Sequence, residues 1–261
     1  MTLGFALTWL VYIWIYSLQA RGLSAAALGM SDMHMNDMNI YWSFPILQAS
    51  GMTGLAFAYV SVFLGLQQTG SGRVRLLPFS PQRTNLYHQQ VSVLVLTLVV
   101  IHVTATAFDA MGDNWRTVLL LNQWRKDWPE AVLGYNTGIV AAYLLVVLGP
   151  TFYVRRLVGS ARWQVLHRFV AVFYILSFWH AMILGLDVAF YTWIRPLMWL
   201  SQIPLLALLI DRLQALSSSQ KTVQRKLLRF GYRGLAAISA GAIGAILALV
   251  ATGHSGFIKT V

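Results

Sequence analysis

Six histidines occur in the 261 residues, and four of them lie inside apolar runs. His88 and His102 bracket the segment HQQVSVLVLTLVVIH, and His167 and His180 bracket HRFVAVFYILSFWH. An ionisable side chain set among lipid tails is costly and is a functional candidate for that reason. Along an α-helix the two pairs are roughly 21 and 20 Å apart, so each helix carries one histidine toward either end of the bilayer. With both helices running the same way, His88 comes level with His167 and His102 with His180. A neutral imidazole is a good iron ligand, and one histidine from each of two helices is a ligand set for a b-type heme. Two such hemes, stacked across the membrane, form a path for electrons. The plainer alternative is four polar residues near helix ends, bonded to backbone or to one another.

One step of the geometry is uneven. At roughly 100° per residue, the fourteen steps from His88 to His102 return to within about 40° of the same face, whereas the thirteen from His167 to His180 end about 140° away. An ideal fifth helix therefore cannot aim both rings to one side. Local over- or underwinding, or hemes approached from different sides, would reconcile the two.

The elements that must carry these residues follow from composition. Hydrophobic residues make up 57% and charged residues only 10%, against roughly 25% charged in soluble domains. Apolar runs approaching the roughly 20 residues needed to cross a bilayer fall at about 3–20, 44–66, 87–108, 136–154, 165–186, 190–210 and 234–252. The expectation is an all-α integral membrane protein of seven transmembrane helices. The first run is short and could extend into the segment after Arg21. No basic region precedes it, so a cleaved signal peptide is not expected.

The net charge of +11 reports topology. With a cytoplasmic N-terminus, 13 of the 19 Lys and Arg residues fall on the cytoplasmic side: three between the second and third runs, four between the fourth run and the start of the fifth, six between the sixth and seventh. Seven of the eight acids fall on the other side. That asymmetry obeys the positive-inside rule and places the C-terminus outside the cytoplasm, in a plasma-membrane protein. No basic surface stands apart from the helix ends, so nucleic acid is not an expected partner. The absence of cysteine excludes disulfides, thiolate metal sites and a Cys nucleophile.

The segments between runs are too short for a soluble domain. Residues 109–135 hold Trp115, Trp124 and Trp128 around TVLLLNQW, which reads as an interfacial helix. Residues 211–233 read as a basic cytoplasmic connection, and 234–261 as an additional helix with a short outer tail holding His254.

The spacings His88-x13-His102 and His167-x12-His180, in the third and fifth helices, resemble those of the ferric reductase and NADPH oxidase transmembrane domain. The resemblance covers about residues 1–210 and implies a six-helix ferric-reductase-like heme bundle with one extra C-terminal helix. It implies two b-type hemes, with His88 and His167 on the inner and His102 and His180 on the outer. It further implies that Phe173 is the aromatic between the hemes. Many relatives continue into flavin and nicotinamide domains. No glycine-rich dinucleotide fingerprint is present here, so no flavin or nicotinamide site is expected, and the chain is similar to stand-alone members. The implied function is a heme-containing oxidoreductase subunit. It carries electrons from a separate flavin reductase or a quinol to an extracytoplasmic acceptor: ferric iron, another metal or a partner redox protein. The second helix has no basic residue to sit over the outer heme, which counts against superoxide production.

Other candidates are local. Arg83, Arg162 and Arg168 lie near the predicted inner heme and are candidates for its propionates, or are positive-inside anchors. Met30, Met33, His34, Met35 and Met38, beside Asp32 and Asp37, offer thioethers and an imidazole for Cu(I) and carboxylates for harder ions, or simply cover apolar surface. Two rival readings of the whole chain are a quinol-linked cytochrome b and a metal permease or assembly subunit.

Overall fold

The computed structural model describes residues 1–24, 40–69, 74, 76–108, 115–121, 129–219 and 226–253. Among them are helices and no strand, and seven helices are long and apolar enough to cross a membrane. We label these α1 (Thr2–Ala20), α2 (Ser43–Thr69), α3 (Pro81–Ala107), α4 (Pro129–Leu148), α5 in two segments (Ser160–His167 and Val170–Leu184), α6 (Ile194–Ser219) and α7 (Lys226–Ala251). A 3₁₀ turn, Gly149–Phe152, continues α4. The Met-rich segment with Met30, Met33, His34, Met35 and Met38 lies outside the described residues, as do Trp124, Trp128 and His254.

The helix ends correct the sequence expectations in three places. First, α1 does not extend past Arg21. Gly22 adopts φ +68°, its N–H donates to Gln19 carbonyl at 2.9 Å, and Leu23 N–H donates to Leu18 carbonyl at 2.8 Å. This paired closure uses a left-handed residue that glycine supplies without steric cost and satisfies the last carbonyls. Second, α3 starts at Pro81, six residues before its apolar run. Pro81 takes the first helical position, where a missing N–H costs nothing, and Ser80 Oγ accepts the Arg83 N–H at 3.4 Å. Third, α6 continues to Ser219 and α7 begins at Lys226, so most of the stretch read as a cytoplasmic connection is helical.

The chain divides into two compact units. The first comprises Met1–Tyr59 and Gln90–Tyr191, the second Val60–Gln89 and Thr192–Val261. In the first unit, the Thr8 hydroxyl donates to Thr53 Oγ1 at 3.3 Å, joining α1 to α2, and Gly4 sits against Leu94 of α3. Gly134 of α4 lies against Ile183 and Leu184 of α5. Leu98, which is wholly buried, anchors the interior. The short helix Trp115–Leu119 is tied to α4 by a hydrogen bond from the Tyr143 hydroxyl to the Leu119 carbonyl. In the second unit, α6 and α7 pack against each other, with Pro204 inside α6. Large apolar side chains such as Leu3, Trp9, Leu157 and Ile238 point outward, as surfaces solvated by lipid tails require.

Candidate functional site

Three of the four membrane histidines are held by one local device. His102 Nδ1 donates to the Leu47 carbonyl at 3.0 Å, His180 Nδ1 to the Gly134 carbonyl at 2.9 Å, and His88 Nδ1 to the Ser61 carbonyl at 2.9 Å. Each accepting residue is followed four positions later by a glycine: Gly51, Gly138 and Gly65. In a helix the carbonyl of residue i already accepts the N–H of residue i+4 and keeps one lone pair spare. A side chain at i+4 would crowd that lone pair, and glycine leaves it open to a ring from the next helix. The crowding is measurable. A Cβ on Gly138 would lie 2.5 Å from His180 Nδ1, one on Gly51 would lie 3.0 Å from His102 Nδ1, and one on Gly65 would lie 3.4 Å from His88 Cε1.

These bonds decide the tautomer. A backbone carbonyl only accepts, so Nδ1 carries the proton and Nε2 presents its lone pair. Metal-bound histidines are commonly held in this way, with the second nitrogen donating to a carbonyl that fixes the ring and raises its basicity. Ser61 Oγ lies 3.4 Å from His88 Nδ1 as a further contact.

The rings of His102 and His180 are neighbours. Their ring centroids are 6.1 Å apart and their planes are inclined by 86°. Two imidazoles on opposite sides of one metal, with metal–nitrogen bonds of about 2.0–2.1 Å, would have centroids roughly 6.3 Å apart. The donor chemistry, the spacing and the glycine cradles thus fit a pair of axial ligands. Among the described residues no three His, Asp or Glu side chains converge as a ligand set for a free metal ion. A heme asks for two.

The family of ferric reductase-like transmembrane components matches residues 50–178. Over that segment the chain is similar to the ferric reductase-like transmembrane component. No curated protein and no solved structure gives a significant match. The ferric reductase-like segment takes in His88, His102 and His167, and His180 lies two residues past its end.

Within the ferric reductase-like component, His167 is held differently. It ends the first segment of α5 and its ring stacks on Trp163, with centroids 5.0 Å apart and planes at 22°. The backbone around it is overwound. Arg168, Phe169, Ala171 and Val172 each donate to the carbonyl three residues back, and Arg168 and Phe169 have φ/ψ of −64/−27° and −69/−12°, near 3₁₀ values. A 3₁₀ turn advances about 120° per residue instead of about 100°. About five such steps bring His180 to within roughly 40° of the face of His167, the same offset as between His88 and His102. The fifth helix is thus overwound between His167 and Val172, where the ideal geometry was uneven.

Phe173, only 4% exposed, lies in the interior of the first unit, six residues after His167 and seven before His180. Arg83, Arg162 and Arg168 are all exposed at helix ends. Outside the spans, burial raises the Asp187 carboxyl above its ordinary range. Sequence reasoning did not pick out Leu47, Ser61 and Gly134 as acceptors, nor Gly51, Gly65 and Gly138, nor Trp163. A signal was present: Gly51 and Gly65 are fourteen residues apart in α2, as His88 and His102 are in α3.

Proposed function

We propose that this ferric reductase-like protein is a two-heme membrane subunit that carries electrons across the bilayer. His102 and His180 would hold an outer b-type heme, and His88 and His167 an inner one. The observation that carries the proposal is the approach of the His102 and His180 rings to 6.1 Å with both Nδ1 atoms committed to backbone carbonyls. The assignment of His88 with His167 rests on matching positions along α3 and α5 and on the family.

Bound heme supplies a one-electron carrier, and the protein supplies its placement and electrostatics. The carbonyls of Leu47, Gly134 and Ser61 keep three imidazoles in the ligating tautomer. Gly51, Gly138 and Gly65 let neighbouring helices approach those rings. Phe173 occupies the low-dielectric space midway along α5, and the exposed Arg83, Arg162 and Arg168 are available to propionates of the inner heme. The charge asymmetry of the loops supports a cytoplasmic N-terminus in the plasma membrane. Electrons then enter at the cytoplasmic side from a separate flavin reductase or a quinol, and leave to ferric iron, another metal or a partner redox protein.

A pyridine-hemochrome assay on the purified protein tests this reading. The expected value is close to two b-type hemes per chain. A value near zero in folded protein expressed with adequate heme would overturn it.

A further inference from the structure

Gln48 stands one residue beyond Leu47 and three before Gly51, the two residues of α2 that hold His102. It is only 7% exposed, and neither its Nε2 nor its Oε1 has a hydrogen-bond partner among the described residues. A buried primary amide without partners is rare and costly, because two donors and an acceptor have left water for nothing. A partner that is part of the working protein is the economical explanation.

Helix geometry says on which side that partner lies. On α2, Gln48 is about 60° round from Gly51 and about 140° round from Thr53. Thr53 marks the side turned to α1 through its bond with Thr8, and Gly51 marks the side turned to His102. The Gln48 side chain therefore leaves α2 on the side away from α1, one residue along from the carbonyl that holds His102. A heme carries polar groups only at its two propionates, so a heme held by His102 and His180 meets Gln48 through a carboxylate, with the Nε2 group donating.

We propose that Gln48 is a binding residue of the outer heme, its amide donating to a propionate and offsetting part of that negative charge. The inference rests on the two-heme reading given above. Loss of the donor leaves more uncompensated negative charge near the iron and favours the ferric state, and a carboxylate in its place does so further.

The test is a potentiometric titration of the purified full-length protein, as wild type, Gln48→Leu and Gln48→Glu, with heme content and thermal stability measured in parallel. The expected result is a downward shift of one of two midpoints in Gln48→Leu, a larger one in Gln48→Glu at alkaline pH, and an unmoved second midpoint. Gln48→Leu is near in volume and removes a buried polar group, so it is expected to fold. Unchanged potentials, together with a more stable Gln48→Leu protein, would overturn the inference and leave the two-heme reading intact. Wild-type protein without heme would overturn both.

Discussion

His102 and His180 on the one hand, and His167 on the other, show two ways of fixing an imidazole inside a bilayer. The first two are held by backbone: a carbonyl takes the Nδ1 proton, and a glycine one turn on makes room for the ring. His88, in the second unit, follows the same rule with Ser61 and Gly65. His167 stacks on the Trp163 side chain at an overwound break in α5. A backbone clamp is set by helix packing and tolerates an added atom only where a Cβ would clear the ring. A stacking contact depends on one side chain and allows adjustment. The His102–His180 pair is thus built for a fixed geometry, and the N-terminal end of α5 for a tunable one.

That difference can be probed by adding single carbon atoms. Overpacking a tight interior costs about 1–3 kcal/mol, which corresponds to roughly 5- to 150-fold in affinity. Gly138→Ala, with its Cβ 2.5 Å from His180 Nδ1, is expected near the upper end of that range, measured as loss of one heme from purified protein. Gly51→Ala, at 3.0 Å, should lose less, and Gly65→Ala, at 3.4 Å, should retain both hemes. An equal effect at all three positions would break the claim that ring crowding is what matters.

A smaller effect is expected where the side-chain clamp operates. Stacking is worth about 0.5–1.5 kcal/mol, so Trp163→Leu should weaken heme retention by about tenfold at most. Its signature is a shifted or broadened reduced-minus-oxidised band of one heme, with the other untouched. A total loss of heme in Trp163→Leu would place His167 in the same class as His180.

The chain announces its spans and its histidines because both are compositional: long apolar runs, and four imidazoles where lipid makes each one expensive. Helix ends were less legible. The first five residues of α3 include Gln82, Arg83 and Asn85, polar residues that an apolar run leaves out although Ser80 and Pro81 mark the start. The overwinding near His167 leaves no mark in composition, since Arg168 and Phe169 are not residues that demand a 3₁₀ turn. The glycine cradles were written in the sequence as an equal spacing on adjacent helices. Reading them required asking what each histidine's second nitrogen bonds to, a question about backbone that residue type alone does not raise.

The most direct test of the account is heme counting in single and paired histidine variants. His102→Ala and His180→Ala should each lower the content from about two hemes per chain to about one, and the double variant should lower it no further, because both residues hold one group. A double variant of His102 with His167 should retain none. If His102→Ala and His180→Ala together remove both hemes, or if neither removes any, the pairing across the first unit is wrong.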